Sequence, residues 1–454
     1  MPSYVLRLAK GFSVARPQAV GGEAAGPIFA VPEMVGRSCR LEPYEARKIP
    51  KIALEAGAEA IAYASPDSTF AVTKRLMDAA ERSILIGIYD FSAPHMREVL
   101  LNALARGVSV SLMLDIDSDS ENREFDKLVE MGVRGVPAPS CAHDTIRFFS
   151  SSHEKVIVID DEWCLVQSGN YSSNSIPLNE RDGGGATGFR TGNRDSGLAI
   201  RSPKLAALFT EILEADMALV EATPEMLRRP LDESVFLVER VPRGPKKRFK
   251  SEAFTFADKL TVTPVLSPDN YMLVVPDLLR KARVSVLIEQ QYIKANQTHI
   301  RTLLGAIKQA REKSPKLDVR IVLGKVFNKS KLKAERENLQ ILADDYGLEL
   351  GTHIRYVNTD QFVHCHNKMV LIDGEGVLVS SQNWSDSAVS KNREAGVWLK
   401  HEGVGAYFTS IFEFDWSVSF RELPGDEAEP EMLTSEALAG GGFVRVERAD
   451  YEEV

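Results

Sequence analysis

Cysteine is scarce in this chain of 454 residues. Cys39, Cys141, Cys164 and Cys365 are scattered and form no C-x-x-C, so neither a zinc site nor a disulfide scaffold is suggested. Positive charge is also short. The net charge of −9 argues against a surface built for nonspecific nucleic-acid binding, which needs a basic field, though a locally basic cleft is compatible with it. Long apolar runs are missing, and none approaches the length of a membrane span. The N-terminus, MPSYVLRLAKGFSVARPQAV, has no apolar h-region, so the expectation is a cytoplasmic protein, with secretion left open.

What is present is ordinary globular material. Hydrophobic residues make up 44% and charged residues 26%, enough for a large core without help from disulfides. The length suits two or three domains.

One stretch organises the rest: Ser150 to Asn170, SSSHEKVIVIDDEWCLVQSGN. It holds His153, Lys155 and Asp160 as H-x-K-x4-D, followed by Ser168 and Asn170. KVIVID reads as a buried strand, and residues two apart on a strand share a face. A second stretch, HNKMVLIDGEGVLVSSQN, repeats the pattern with His366, Lys368, Asp373, Ser381 and Asn383. The offset is constant: 366 − 153 and 383 − 170 are both 213.

The flanks repeat too. SPDSTFAVTKRLMDAAERSILIGIYDF (65–91) is echoed by SPDNYMLVVPDLLRKARVSVLIEQQYI (267–293), and Asn193-Arg194-Asp195-Ser196-Gly197 by Asn392-Arg393-Glu394-Ala395-Gly396. Between Asn170 and Asp195 the first copy carries 14 extra residues (25 positions against 11), in a Gly-rich stretch expected to be a loop at the mouth of the site. A period near 200 is too long for a solenoid. The chain is read as an internal duplication of α/β type: a two-lobed α-β-α sandwich, pseudo-two-fold, with one shared central site. The expected divisions are an N-terminal extension (1–58), a first half (59–222), a linker (223–258), a second half (259–422) and a tail (423–454).

Within each half, strands alternate with helices. Strands are expected at SILIGIYDF, VSVSLMLDID, SGLAIR, DVRIVLGK, HIRYVN and AGVWLKH. Helices are expected at APHMREVLLNALARG, REFDKLVEMG, PKLAALFTEILEADMALVE, HIRTLLGAIKQAREK, KLKAERENLQILADDYG and VGAYFTSIFEFDWSVSF. KIPKIALEAGAEAIAYA suggests a short helix running into a strand, and GGGFVRVERADYEEV one last strand.

Two histidines, two lysines, two asparagines and two serines meeting at one centre suit a tetrahedral anion. Lysines neutralise charge, while the amides of Asn170 and Asn383 and the hydroxyls of Ser168 and Ser381 donate to non-bridging oxygens. One histidine attacks phosphorus and the other protonates the leaving oxygen. Asp195 and Glu394 are candidates to hold the far ring nitrogen of each imidazole. Asp160 and Asp373 are read as structural, holding local structure or the opposing half. Cys365 lies between His364 and His366, but on a strand it would face away from both, so no metal is assigned. Cys164 and Cys365 are expected in the core. His95, His143, His299, His353, His364 and His401 have no such support. Tyr89, Tyr171, Tyr292 and Trp384 could line a groove, and core is the favoured reading.

HEKVIVID…QSGN and HNKMVLID…SSQN resemble the paired HKD motifs of the phospholipase D superfamily, over about residues 60 to 420. Gln167 and Ser380 depart from it, standing where that pattern often has glycine. The resemblance implies a metal-free phosphohistidine mechanism with no cofactor. It implies His153 and His366 as nucleophile and acid, Lys155, Lys368, Asn170 and Asn383 on phosphate, and Asp195 and Glu394 behind the imidazoles. It favours His153 as the nucleophile. The expected partner is a phospholipid or other phosphodiester, reached by peripheral membrane contact, in a monomer acting as a pseudo-dimer. Nucleic acid is the less favoured substrate. It would draw on Lys246, Lys247, Arg248 and Lys250, with Arg181, Arg190 and Arg194. Within the same superfamily the motifs also suit a cardiolipin synthase-like phosphatidyl transferase. A non-catalytic phosphate- or lipid-binding module is a further reading, against which the intact H-x-K pairs of both halves speak.

Overall fold

The computed structural model describes residues 39–116, 119–143, 146–177, 192–221, 237–240, 249–326, 331–424 and 443–446. The start of the chain, the Gly-rich stretch with Arg181 and Arg190, the run Lys246, Lys247 and Arg248, and most of the tail lie outside the described residues.

The first half runs β1 (Ile52–Leu54), β2 (Glu59–Ser65), α1 (Thr69–Asp78), β3 (Ser83–Ile88), α2 (Pro94–Ala105), β4 (Ser109–Leu114), α3 (Asp119–Glu130), β5 (Arg134–Pro137), β6 (Lys155–Ile159), β7 (Trp163–Gln167), β8 (Asp195–Arg201) and α4 (Pro203–Glu221). After β9 (Leu237–Arg240) and β10 (Glu252–Thr255), the second half repeats it. Its elements are β11 (Leu260–Ser267), α5 (Tyr271–Arg280), β12 (Ser285–Gln290), α6 (Thr298–Lys313), β13 (Asp318–Leu323), α7 (Leu332–Tyr346), β14 (Ile354–Tyr356), β15 (Lys368–Ile372), β16 (Gly376–Ser380), α8 (Asp386–Ser390), β17 (Glu394–Lys400) and α9 (Glu402–Val418). β18 (Phe443–Val446) pairs with β9.

Two eight-stranded sheets result, ordered β10-β2-β8-β7-β6-β3-β4-β5 and β1-β11-β17-β16-β15-β12-β13-β14. The order is the same position by position, as an internal duplication requires. The outer strands are exchanged: β1 precedes the first half yet pairs with β11, while β10 precedes the second yet pairs with β2. The short helix expected ahead of β2 is therefore corrected to a strand. Ile52 and Leu54 are buried and Ala53 is exposed, a period of two that suits the free edge of the second sheet.

Helices cover both faces of each sheet. Along β6, Val156 and Val158 face α4, while Ile157 and Ile159 pack with α1 and α2. Along β15, Met369 and Leu371 face α9, and Val370 and Ile372 pack with α5 and α6. Phe209 and Leu213 of α4 and Phe408 and Phe412 of α9 share a single core, so the halves are joined by a continuous apolar layer.

The β6–β7 and β15–β16 turns explain the aspartates five residues beyond each lysine. Asp160 and Asp373 sit at φ 54° and 56°, which a short polar side chain tolerates. The Asp160 carboxylate accepts the backbone N–H groups of Glu81, Arg82 and Ser83, and that of Asp373 accepts those of Arg283, Val284 and Ser285. Each fastens its own half.

Cysteine requires a correction. Cys39 and Cys141 form a disulfide, with Cα atoms 5.9 Å apart and 102 positions between them. Their spacing carried no signal because the strap from residue 39 is laid against residues 146–149 by tertiary contacts such as Glu42 N–H to the Arg147 carbonyl. Cys164 and Cys365 are free and buried, as expected.

Candidate active site

The two histidines sit just ahead of β6 and β15, where each chain crosses to the other half. Ser152 bridges to Arg393, and Cys365 bridges to Arg194. The backbone N–H of His153 donates to the Arg393 carbonyl at 2.7 Å, and that of His366 to the Arg194 carbonyl at 3.0 Å. These contacts bring the imidazole centroids to 6.5 Å, inside the reach of one phosphorus centre. Both histidines are buried. The Tyr89 ring meets His153 edge-on at 4.9 Å, so this tyrosine lines the site while Tyr171 and Trp384 are core.

The carboxylates are exchanged between halves. His153 Nδ1 is 2.9 Å from Glu394 Oε2, and His366 Nδ1 is 3.0 Å from Asp195 Oδ1. Ser381 donates to Glu394 at 2.5 Å and Ser168 to Asp195 at 2.9 Å. Ser168 and Ser381, expected to donate to phosphate, lie against these carboxylates and brace them. Lys155 Nζ donates to the His153 carbonyl at 2.5 Å and Lys368 Nζ to the His366 carbonyl at 2.6 Å, which ties each lysine to the backbone of its histidine.

Burial pushes the His153 imidazole well below its ordinary value, helped by Lys155, Lys368 and His366. Burial and Lys368 bring His366 down to about 4, although Asp195 opposes them. Burial lowers Lys155 to about 7, with Glu394 opposing and Lys368 adding to the fall. The carboxylates differ. Burial raises Glu394 to about 8 despite Lys155, Ser381 and Asn392. Asp195 is held below its ordinary value, because the His366 and Lys368 charges and the Ser168 bond outweigh its burial.

Asn170 and Asn383 follow the turns after β7 and β16. Both are buried, and both amide atoms of Asn170 and the oxygen of Asn383 lack a protein partner. A buried amide left so costs about 1–3 kcal/mol, which points to a ligand. At Gly169 a Cβ would lie 2.9 Å from the Asp195 carboxyl, so glycine is needed there. The two departures from the family pattern are braces: Gln167 donates to the Gly169 carbonyl at 2.8 Å and Ser380 to the Lys368 carbonyl at 2.9 Å.

The arginines of the repeated N-R-[DE] motif are latches, which sequence reasoning missed. Arg194 pairs with Asp67 and, across the interface, with Asp415 of α9. Arg393 pairs with Asp269 and, across the interface, with Asp216 of α4. Arg194 is 1% exposed, which removes it from the basic surface expected for a polynucleotide. A signal was available: Arg194 to Arg393 and Asp216 to Asp415 share one offset, 199 (393 − 194 and 415 − 216), and each aspartate lies on the apolar face of its helix.

A family model described as the PLD-like domain of cardiolipin synthase matches residues 73–217 and 275–416. Over 118 residues the chain is 34% identical to the DISARM protein DrmC of Bacillus paralicheniformis, covering 24% of this chain and 46% of that protein, so it spans about half the length of that curated relative. The structure is similar to phosphatidylserine synthase from Haemophilus influenzae (TM-score 0.56, 14% identity, 84% of this chain and 92% of that one). It is also similar to Nuc from Salmonella typhimurium (TM-score 0.28, 21% identity, 37% of this chain and 94% of that one).

Proposed function

From the premise that the chain belongs to the phospholipase D-like domain family, whose model covers both halves, we propose that it is a phosphodiesterase working through a phosphohistidine intermediate. The observation that carries this is the crossed arrangement: two imidazoles 6.5 Å apart, each held at Nδ1 by the other half's carboxylate.

With its Nδ1 hydrogen donated to Glu394, His153 presents the Nε2 lone pair to phosphorus. A P–N bond forms as the P–O bond to the leaving alcohol breaks. His366, protonated as the anionic substrate enters, gives its Nε2 proton to that oxygen, and Asp195 stabilises the imidazolium until then. In the second step His366 takes a proton from water or an alcohol, whose oxygen attacks phosphorus and breaks the P–N bond. Lys155, Lys368, Asn170 and Asn383 offset the charge on the non-bridging oxygens. The substrate class proposed is a phospholipid head-group ester. The net acidic chain supports lipid over polynucleotide, and Arg194, one of the cations a polynucleotide would need, is buried in an ion pair.

The test is a parallel turnover screen on phosphatidylcholine, phosphatidylglycerol, single-stranded DNA and bis(4-nitrophenyl) phosphate, with His153→Ala as control. Turnover of a phospholipid is expected, abolished in the variant and unchanged by EDTA because lysines supply the positive charge. Turnover of DNA alone would replace lipid by nucleic acid, and a fully active His153→Ala would end the mechanism.

A further inference from the structure

His364 stands two residues before His366, and the extended backbone through the Cys365 bridge puts both rings on one side while Cys365 faces the core. The His364 ring is 6.5 Å from that of His366. The backbone N–H of Lys325 donates to His364 Nδ1 at 3.0 Å, so the neutral ring carries its hydrogen on Nε2 and is a donor there. The ring packs against Gly324, just past the carboxyl end of β13, where a Cβ would collide with Cε1. Carboxyl ends of parallel strands are where α/β sheets bind ligands.

The first half is built differently at the same places. Ser151 corresponds to His364 and Asp115 to Gly324. There the Asp115 carboxylate closes on the hydroxyls of Ser140 and Ser151 and the N–H of Ser152, at 2.7 to 2.8 Å. One side of the site therefore ends in a buried carboxylate. The other ends in an N–H donor beside half-buried Lys325, whose charge reaches the His364 ring.

Resting on the reading of the site given above, we propose that His364, with Lys325, forms a subsite on the His366 side for a second phosphoryl group, carried by the alcohol part of the substrate. An anion is favoured there by donor and cation, and repelled from the opposite side by Asp115.

The test measures binding without turnover. Calorimetric titration of the full chain with inorganic pyrophosphate and with orthophosphate should show pyrophosphate the tighter by roughly tenfold, the worth of one charge-assisted hydrogen bond. His364→Ala should erase that preference and leave orthophosphate binding intact, and His364→Gln, which keeps an N–H donor, should restore part of it. Equal affinities in the unaltered chain, or the same preference in His364→Ala, would overturn the subsite. An inert enzyme that still shows the preference would sink the phosphodiesterase reading alone. Comparing kcat/KM for phosphatidylglycerol phosphate against phosphatidylglycerol, and for a 3′-phosphorylated thymidine dinucleotide against the plain one, tells whether the second phosphoryl comes from a lipid or a nucleotide.

Discussion

Gly87 and Glu154 of the first half correspond to Glu289 and Asn367 of the second. In the first half a Cβ at Gly87 would meet Leu213 at 2.5 Å and the Glu154 carboxyl at 3.1 Å, so the space above β3 is held by a carboxyl from the β6 side. In the second half β12 itself brings the carboxyl, and Glu289 accepts from Asn367 Nδ2 at 2.7 Å. The buried acid is kept in place, but the strand supplying it changes. Glu154 accepts from its near neighbour Ser152, at 3.0 Å. Asn367 Oδ1 instead accepts across the interface from the hydroxyl of Ser196 at 2.6 Å. The Ser196 N–H donates in turn to Ser168, which braces Asp195, so Asn367 adds a layer of support on the His366 side where the first half has Glu154. The duplication therefore yields two imidazoles in unlike settings, which suits a reaction that needs one nucleophile and one acid.

The largest test of that inequality exchanges the carboxylates for amides. Asp195→Asn should lower kcat on an alkyl phosphodiester by about 10²- to 10⁴-fold, because His366 loses the partner of its imidazolium. On a 4-nitrophenyl ester, whose leaving group needs no proton, most of the loss should vanish from the first-turnover burst, which precedes the step in which His366 acts as base. Glu394→Gln should cost a similar factor on both esters. Identical responses of the two variants would make the histidines interchangeable.

Next come the latches, where the halves are expected to behave alike. Arg194→Met and Arg393→Met each leave two buried aspartates without their cation, and each should destabilise the fold by about 3–5 kcal/mol in denaturant titration. Arg393 alone also donates to Tyr44 of the disulfide-tethered strap, at 2.8 Å. A markedly larger loss at Arg393 would assign that strap a share of the interface energy.

The smallest effect is in pH. Lys155, lowered to about 7 by burial, is charged below that value and neutral above it. A neutral amine cannot offset phosphate charge, so kcat/KM should fall as pH rises past about 7. A flat profile from neutral to alkaline pH would free Lys155 of the role.

Much of the fold was legible. The fixed offset of the motifs gave the duplication, and apolar periods of two and 3.6 gave the strands and helices. Asp160 and Asp373, read as structural, fasten backbone N–H groups of their own halves. The failures are of one kind. Cys39 and Cys141 carry no pairing signal, residues 52–54 read as a helix, and Arg194 reads as a cation for a polynucleotide. Each of these residues takes its partner from a distant part of the chain, and no local pattern reports that partner.

The amino-acid order by itself fixed which groups are available: two imidazoles, two ammoniums and two carboxylates at matched intervals, on strands whose side-chain alternation is a local property. Only the tertiary structure decided the pairing. His153 takes its carboxylate from 241 positions away and His366 from 171, in each case from the opposite half. Such partners are chosen by how the two sheets approach through the shared layer of α4 and α9. That approach is a sum of weak, non-directional contacts that no single stretch of the chain records.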